Sequence, residues 1–407
     1  MENNNAVHTV AILGFGVVGG GVADLITTNA AELRAALGVE VKIAHILDLK
    51  DFPDSPFASL VTHSFEKILI DDTVDTVIEV MGGSHPAYEY TVRALAAGKN
   101  VITSNKEVVA NYGDEFVSLA RKMGVSYRFE AAVGGGIPII NPLTSCLRQN
   151  KLREVRGILN GTTNYILTKM FTYGDSFENA LADAQEKGYA ESNPAADILG
   201  TDACRKITIL TALASDMLLK VDEVKTEGIT GIRAVDVARA ESMGHKIKLI
   251  GRCVLTDDGP QVIVAPYLLP ADSPLAGVNG VYNAIEVIGE PLGNVMFYGP
   301  GAGAGATASA VVGDLLPILA EGNGAHKLPV FSKSSYDPKK GLEGLESKSY
   351  VALPLGSSDK VHDVFGQVKF IEAQDECVFI TPKLTEKEFD EKLTACARPV
   401  LSRIRFL

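Results

Sequence analysis

A glycine-rich turn close to the start of the chain restricts its fold more than any other feature. Residues 8–16 read HTVAILGFG, an apolar strand that runs into a G-x-G-x-x-G turn and then into an Ala- and Leu-rich helical stretch. Glycines at this spacing let the backbone turn tightly and approach a pyrophosphate, and the helix N-terminus offers free N–H groups to that anion. The sequence therefore predicts a dinucleotide-binding turn, with a glycine turn used only for packing as the alternative. Its candidate cofactor-binding residues are Gly14, Phe15, Gly16, Val17, Val18 and Gly19.

Strands and helices alternate over the first 130 residues. Alternation of this kind is typical of parallel βαβ units with helices on both faces of the sheet. We therefore expect an α/β fold that begins with a Rossmann-type nucleotide-binding domain over residues 1–130. Further strands are predicted at residues 41–47, 73–80, 100–103 and 125–129, and helices at residues 17–37, 87–97 and 114–123.

The composition changes after Glu130, where the run EAAVGGGIPIINPL predicts a linker or a site loop. A mostly helical and mixed stretch follows, which we interpret as a central α+β domain over residues 131–299. A glycine cluster that opens an Ala- and Val-rich helix at about 300–325 is expected to complete the first domain. A polar linker is expected over residues 326–348, and residues 349–407 have the βαββαβ order of a small ferredoxin-like module.

Composition and charge narrow the function classes. Apolar residues make up 46% of the chain and the formal net charge is −12, which argues against nucleic acid or an anionic membrane as a partner. No apolar run reaches the length of a membrane span, and the N-terminus does not resemble a secretory signal. The five cysteines form no CxxC pair, and no His/Cys cluster indicates a zinc site. We therefore expect a cytoplasmic protein that acts on a small-molecule substrate.

Asp48 ends the second predicted strand. An acidic side chain at this place can accept hydrogen bonds from ribose hydroxyls and repel a 2′-phosphate. Asp48 lies about 29 residues after Gly19, later than is usual, so a solvated loop aspartate is the alternative. Lys50 can neutralise a phosphate. Both NAD and NADP are therefore compatible with the pattern.

A second candidate set follows the strand predicted at residues 100–103. Thr103, Ser104, Asn105 and Lys106 stand at a carboxyl end of the parallel sheet, where ligands of such folds bind. A lysine there faces the cofactor crevice more often than bulk solvent, and an ordinary surface lysine is the alternative. Thr103, Ser104 and Lys106 are therefore further cofactor-binding candidates.

A third set occupies residues 188–206, GYAESNPAADILGTDACRK, which gather Glu191, Asp197, Asp202 and Lys206. Asp202 and Lys206 are four positions apart, so on a helix they share one face. A carboxylate–ammonium pair on an Ala-, Ile- and Leu-rich helix suits an amino-acid zwitterion, and a surface ion pair is the alternative. A lysine ammonium is also a suitable acid for the alkoxide formed when an aldehyde is reduced.

Together these blocks resemble the homoserine dehydrogenase family. GFGVVG, TSNK, EAAVGGGIP, GILNGTTNYIL, GYAESNPAADILGTDACRK and GPGAGAGATASAVVGD occur in the order typical of that family, over about residues 8–325. The resemblance implies NAD(P)-dependent interconversion of L-aspartate 4-semialdehyde and L-homoserine, in threonine and methionine biosynthesis. It also implies that the central domain binds substrate and forms a homodimer or a higher homo-oligomer.

The resemblance further implies roles for individual residues. Lys206 corresponds to the catalytic proton donor, and Lys106 to a second active-site lysine beside the nicotinamide. The implied substrate-binding residues are Glu191, Asp197, Asp202, Gly161 and Thr162. A monovalent cation, commonly sodium, is implied at Glu130 and at the backbone carbonyls of Val133, Gly135 and Ile137, since oxygen ligands suit a hard cation.

Two features depart from the family pattern. Leu47 stands beside Asp48 where family members that use NADP often carry an arginine, which favours NAD. The C-terminal segment resembles an ACT domain, an amino-acid-binding regulatory module, but its first helix lacks the glycine-rich entry of ligand-binding members. Binding of an inhibitory amino acid and a role in subunit contacts both remain open for this segment.

Two rival functions use the same scaffold. An acylating semialdehyde dehydrogenase needs a cysteine nucleophile beside a histidine. Cys204 lies between Asp202 and Lys206, but its helical phase points away from their face and no histidine is near in sequence. A cofactor-sensing regulator would lack the carboxylate–lysine set, which is intact here.

Overall fold

The N-terminal part of the chain folds as alternating strands and helices. The computed structural model describes residues 6–321, 331–333 and 336–407, so residues 326–330 and 334–335 of the expected linker lie outside the described residues. Up to residue 144 the elements are β1 (Val7–Leu13), α1 (Val17–Thr28), α2 (Ala30–Leu37), β2 (Glu40–Leu47), β3 (Val61–Thr62), α3 (Phe65–Leu69), β4 (Thr76–Glu79), α4 (Ala87–Ala96), β5 (Asn100–Thr103), α5 (Lys106–Met123), β6 (Tyr127–Arg128) and α6 (Ile140–Thr144).

Two helices take the place of the single helix predicted over residues 17–37, since α1 ends at Thr28 and α2 begins at Ala30. The hydroxyls of Thr27 and Thr28 donate to the carbonyls one turn earlier, at 2.8 Å each. Thr and Asn side chains that bond locally to the backbone weaken a helix interior, and this accounts for the break.

The middle of the chain contains five strands of eight or more residues, β7 and β10–β13, whose positions the sequence analysis did not predict. The elements are β7 (Lys151–Ile158), α7 (Gly161–Tyr173), α8 (Phe177–Glu186), α9 (Ala195–Ile198), α10 (Thr201–Ser215), β8 (Met217–Leu218), β9 (Lys225–Thr226), α11 (Ala234–Ser242), β10 (His245–Thr256), β11 (Gly259–Pro270), β12 (Tyr282–Glu290) and β13 (Gly293–Pro300). Most residues of β11 and β12 are buried on both faces. Such strands show a continuous apolar run instead of alternation, so periodicity does not separate them from helices.

The last part of the chain returns to short alternating elements. These are α12 (Ala304–Gly313), α13 (Leu315–Glu321), β14 (Ser332–Lys333), α14 (Pro338–Leu342), β15 (Glu346–Ser347), β16 (Ser349–Pro354), α15 (Ser358–Phe365), β17 (Lys369–Ile371), β18 (Glu376–Ile380), β19 (Leu384–Thr385), α16 (Glu386–Cys396) and β20 (Ser402–Phe406). Over the residues that the structure describes, every helix is too short or too polar to cross a membrane.

The chain forms two compact units, and the first comprises residues 1–151, 209–220 and 297–334. Its six-stranded sheet has the order β3-β2-β1-β4-β5-β6 with parallel neighbours, the arrangement expected of a Rossmann-type domain. The order reverses between β1 and β4, and ligands of such sheets bind at the carboxyl ends of the strands beside this point. Val311, Val312 and Leu315 of α12 and α13 share a core cluster with Val22 and Ile26 of α1.

The second unit comprises residues 152–208, 221–296 and 335–407. Its principal sheet has the order β13-β12-β7-β10-β11-β20-β16-β18-β17. The last segment has the element order β16-α15-β17-β18-α16-β20, apart from the two-residue β19. Its sheet continues that of the central strands because β20 pairs in parallel with β11. The C-terminal segment is therefore part of the second unit's sheet.

Candidate active site

Each glycine of the G-x-G-x-x-G turn meets a different steric demand. Gly14 has a φ of +95°, and its N–H donates to the carbonyl of Leu47 at 2.8 Å. A Cβ on Gly19 would lie 1.9 Å from the carbonyl oxygen of Gly14, so α1 packs on the turn only without a side chain there. Among the described residues, nothing beyond its chain neighbours approaches within 4 Å of a Cβ placed on Gly16, the N-cap of α1. A tight turn, an open backbone and a close packing point are what a pyrophosphate cradle requires.

Asp48 lies against this turn. One of its carboxylate oxygens accepts the N–H of Phe15 at 2.7 Å, and the other accepts the N–H of Lys50 at 3.0 Å. Leu47, which was expected to mark the cofactor preference, is buried at the end of β2, whereas Leu49 is 98% exposed. The acidic group thus lies beside the glycine turn, at the carboxyl end of a strand next to the switch point. Val17 is exposed, and Val18 is half-buried at the start of α1.

The segment from Thr103 to Lys106 joins β5 to α5. The side-chain oxygen of Asn105 caps α5 by accepting the N–H groups of Glu107 and Val108. Lys106 is therefore the first residue of the helix, where the helix dipole disfavours a cation. A lysine at this position fits a ligand-facing role better than a role in helix stability. The N–H of Ser104 donates to the carbonyl of residue 79 at 3.3 Å, which holds this segment against β4.

Glu79 is a buried acid at the same edge of the sheet, and the sequence did not reveal it. Its carboxylate accepts the hydroxyl of Thr103 at 2.6 Å and the N–H of Met81 at 2.8 Å. Burial raises the pKa of Glu79 to about 7. The carboxyl group therefore ties the ends of β4 and β5 together. The available signal was an acid at the end of the apolar run TVDTVIEV.

In the second unit, a chain of hydrogen bonds runs from Lys206 to Asp202 and then, through Asn160, to Asp197. The ammonium of Lys206 donates to Oδ2 of Asp202 at 2.7 Å and to the carbonyl of Leu159 at 2.8 Å. The side-chain amide of Asn160 donates to Asp197 at 2.6 Å and to Oδ2 of Asp202 at 3.0 Å. Lys206 is 7% exposed and Asp202 is 4% exposed, so their pair is not an ordinary surface ion pair.

Asn160 is a site residue that the sequence analysis did not select. It is the N-cap of α7, and its side-chain oxygen accepts the N–H of Thr163 at 2.8 Å. One side chain therefore caps the helix and holds two carboxylates. Asn immediately before a helix is a known capping signal, and it would have identified this position.

Glu191 lies on an exposed loop that follows α8. The hydroxyl of Thr162 donates to the carbonyl of Tyr189 in this loop at 2.6 Å. A Cβ on Gly161 would lie 2.6 Å from the carbonyl oxygen of Val281, so the start of α7 packs closely against the chain before β12. Gly161 and Thr162 thus make structural contacts that fix the start of α7 and the Glu191 loop.

The segment implied to bind a cation is buried in the first unit. The carboxylate of Glu130 accepts the N–H groups of residues 139, 140 and 141 at 2.6, 2.8 and 2.7 Å. The buried Asp314 accepts the N–H of Glu130 at 2.8 Å, and burial together with the Glu130 charge raises its pKa to about 7. The other implied ligands, Val133, Gly135 and Ile137, are buried in the same loop.

A cation in this loop would therefore meet backbone carbonyl oxygens, because the Glu130 carboxylate is already committed to backbone amides. Within the part of the chain that the structure describes, no group of three or more His, Cys, Asp or Glu residues is arranged to hold a metal ion.

Cys204 does not have the properties of a nucleophile. It is 2% exposed, and burial raises the pKa of its thiol. Its Sγ lies 3.5 Å from the carbonyl oxygen of Val221. Reactive cysteines are accessible and have depressed pKa values, so the thiol-dependent rival function loses its support.

Comparison with known proteins gives a consistent result over both units. Residues 14–130 match the family described as homoserine dehydrogenase, NAD binding domain, and residues 138–316 match the family described as homoserine dehydrogenase. The homoserine dehydrogenase of a Synechocystis species is 43% identical over 319 residues, which cover 76% of this chain and 73% of the relative.

Solved structures extend this similarity. A homoserine dehydrogenase from Thiobacillus denitrificans is 32% identical with a TM-score of 0.91, and the match covers 98% of each chain. A hyperthermophilic archaeal homoserine dehydrogenase in complex with NADPH is 27% identical with a TM-score of 0.67, covering 79% of this chain and all of the other. The similarity therefore includes the glycine turn, the group formed by Lys206, Asp202, Asn160 and Asp197, and the C-terminal segment.

Proposed function

The chain belongs to the homoserine dehydrogenase family, and we propose that Lys206, in its buried pair with Asp202, is the proton donor of the reaction. The enzyme is an NAD(P)-dependent oxidoreductase that interconverts L-aspartate 4-semialdehyde and L-homoserine. The observation that carries the proposal is the 2.7 Å contact between Nζ of Lys206 and Oδ2 of Asp202, away from water. A carboxylate at this distance stabilises the ammonium form. The ammonium then donates its proton to the oxygen of the reduced aldehyde and stabilises the negative charge that develops there.

The carboxylates around Lys206 suit the ammonium group of the substrate. We assign the α-ammonium of homoserine to Glu191 and Asp202, and assign to Asp197 the support of Asp202 through Asn160. Gly161 and Thr162 contribute by fixing the start of α7 and the loop that carries Glu191. Asp202 beside the buried lysine, with Asp197 joined to it through Asn160, allows an acidic site to receive an amino acid and still keep a proton donor.

The glycine turn and its surroundings fit a dinucleotide. We assign the pyrophosphate to the turn Gly14–Gly19, where the backbone at Gly16 is open and Gly19 allows α1 to approach. Asp48 would accept hydrogen bonds from the ribose hydroxyls, and Thr103, Ser104 and Lys106 would line the cofactor site, with Lys106 beside the nicotinamide. When bound, the cofactor would supply hydride transfer in either direction between its nicotinamide ring and the substrate carbon. The carboxylate of Asp48 repels a 2′-phosphate, so NAD is the favoured cofactor.

Sodium is the proposed monovalent cation. Its ligands would be backbone carbonyl oxygens of Glu130, Val133, Gly135 and Ile137, since the Glu130 carboxylate accepts three backbone N–H groups. Replacement of sodium chloride by a salt of a large organic cation should then lower the thermal stability of the first unit, and unchanged stability would remove the site.

A homodimer is the proposed minimal assembly. Strand β13 is at one edge of the principal sheet of the second unit. Its residues Met296 and Tyr298, and Tyr282 on the neighbouring strand β12, are partly exposed. An exposed edge strand with apolar side chains is a pairing surface. Sedimentation of the wild-type chain and of Met296→Lys would test this surface, because the substitution should shift the protein towards monomer. We further propose a cytoplasmic enzyme that supplies homoserine for threonine and methionine synthesis, with an ACT-like C-terminal segment.

Reduction of NAD or NADP, followed at the reduced-nicotinamide absorbance band with homoserine as substrate, tests the activity and the preference together. Homoserine-dependent reduction that is faster with NAD supports the role of Asp48. Folded protein that binds nicotinamide but does not oxidise homoserine would favour a cofactor-sensing role instead.

A further inference from the structure

A buried ion cluster in the second unit joins the last strand to the segment after β9. Arg405 on β20 has no exposed surface, and its guanidinium donates two hydrogen bonds to Glu386, both of 2.8 Å. It donates two more to Glu227, of 2.7 and 2.9 Å. Arg403 and Lys225 also donate to Glu386, at 2.7 and 3.2 Å. Although burial opposes it, the hydrogen bonds from Arg405 lower the pKa of Glu227.

The backbone beside Glu227 packs directly on the junction between α9 and α10. The N–H of Ile229 donates to the carbonyl of Ile198 at 2.9 Å. A Cβ on Gly228 would lie 2.1 Å from that carbonyl oxygen, and a Cβ on Gly200 would lie 3.0 Å from Cγ2 of Thr226. Backbone is therefore in contact with backbone, and the two segments cannot shift independently.

This junction separates the two carboxylates of the active site. Asp197 belongs to α9, and its carbonyl accepts the N–H of Gly200 at 2.9 Å. Asp202 and Lys206 belong to the first turns of α10, which begins directly after Gly200. Asn160 spans the two carboxylates with hydrogen bonds of 2.6 and 3.0 Å. A displacement of the junction therefore changes the geometry in which the Lys206 ammonium is held.

We infer that Glu227 is a positioning residue for the dehydrogenase reaction: its ion pair with Arg405 fixes the segment that supports the α9–α10 junction, and so orients Asp202 and Lys206. The inference rests on the proposed role of Lys206. A bidentate Arg–carboxylate pair is strong and directional, so it restrains position as well as charge. Misplacement of catalytic groups by about 1 Å can cost on the order of a hundredfold in rate.

A second ion cluster provides a matched control. Glu376 lies in the C-terminal segment, as Arg405 and Glu386 do. It accepts hydrogen bonds from Arg233, the N-cap of α11, and from Arg239 in the last turn of that helix. None of these residues belongs to the segment 226–229 or to the α9–α10 junction. If these ion pairs served only to attach the C-terminal segment, loss of either cluster would have the same effect on kcat.

The test compares Glu227→Gln, Glu227→Ala and Glu376→Gln with the wild-type chain, each shown to be folded by its melting transition. Glu227 is preferable to Arg405 for substitution because its side chain is 32% exposed, whereas loss of the fully buried Arg405 endangers folding. We expect Glu227→Ala to lower kcat for homoserine by about ten- to a hundredfold. The amide of Glu227→Gln keeps an acceptor oxygen, so its loss should be smaller.

The KM for the nicotinamide cofactor should stay unchanged in all variants, and Glu376→Gln should keep kcat within about twofold. A purely structural role would lower the melting temperature without lowering kcat per folded molecule. Wild-type kcat in folded Glu227→Ala overturns the inference, as do equal losses in the Glu227 and Glu376 variants. If a substitution of Lys206 left kcat for homoserine unchanged, Lys206 would lose its proposed role, and this inference would fail with it.

Discussion

Nζ of Lys206 lies 2.7 Å from Oδ2 of Asp202, and the same oxygen accepts a hydrogen bond from the side chain of Asn160 at 3.0 Å. One carboxylate oxygen therefore serves both the ammonium and the amide. The second amide hydrogen of Asn160 is directed to Asp197 at 2.6 Å. Because Lys206, Asp202 and Asn160 are shielded from water, the protein sets the orientation of the ammonium, and little solvent reorganisation is needed when charge develops on the substrate oxygen.

Substitution of Asn160 by Asp should lower kcat for homoserine by at least about tenfold, because a third carboxylate would replace the donor that separates Asp197 and Asp202. The loss should be smaller at lower pH, where one shared proton restores a donor. The measurement is the pH profile of kcat. Asn179→Asp, on the exposed face of α8, is the control and should retain the wild-type profile. A wild-type profile for Asn160→Asp would contradict the assigned bridge.

The glycine turn allows a matched set of three alanine variants. Gly16→Ala should fold with wild-type stability and raise the cofactor KM by roughly tenfold, since its Cβ enters the space assigned to the pyrophosphate. Gly19→Ala should lose at least about 2 kcal/mol of stability, because its Cβ would lie 1.9 Å from the Gly14 carbonyl oxygen. Gly20→Ala meets open space within α1 and should be neutral or stabilising. Thermal unfolding and cofactor titration distinguish the three, and an unchanged cofactor KM in Gly16→Ala would count against the cradle.

Asp48→Asn should raise the ratio of NADP to NAD efficiency by roughly tenfold, which corresponds to about 1.4 kcal/mol. The neutral amide no longer repels a 2′-phosphate, while its oxygen can still accept the N–H of Phe15. The measurement is kcat/KM for both cofactors. Asp51→Asn, whose side chain is 84% exposed, is the control. An unchanged ratio would assign the preference to other residues.

Glu79 predicts a pH dependence of stability. Burial raises its folded pKa to about 7, above the ordinary 4.5, so the folded state disfavours the ionised form. The Glu79 contribution to the free energy of unfolding therefore falls as the pH rises from about 4.5 through 7. Glu79→Gln does not titrate, so its stability relative to wild type should increase by about 2.5 kcal/mol between about pH 5 and pH 8.

Denaturant titrations of wild type and Glu79→Gln at several pH values measure this difference. Glu115→Gln, on the exposed face of α5, serves as the control and should show no such trend. A constant difference between Glu79→Gln and wild type across the range would contradict the raised folded pKa of Glu79.

Sequence reasoning succeeded where the signal is local. The glycine turn, the alternation that builds the parallel sheet and the four-residue spacing of Asp202 and Lys206 each lie within one element or between neighbours. It could not predict the carboxylate contacts of Asn160 or the Thr103 contact of Glu79, because these partners are distant in sequence, 37 and 42 residues away for Asn160 and 24 for Glu79. It missed β11 and β12 because strands that are buried on both faces lose the two-residue alternation that identifies a strand.

The most direct test of the account is the steady-state rate of homoserine oxidation by Lys206→Met, which keeps the length of the side chain and removes the proton donor. Lys122→Met, at the exposed C-terminal end of α5, is the control. The account predicts that folded Lys206→Met retains the cofactor KM and loses about 10²- to 10⁴-fold in kcat. Wild-type kcat in folded Lys206→Met would contradict the assignment of Lys206 as the proton donor.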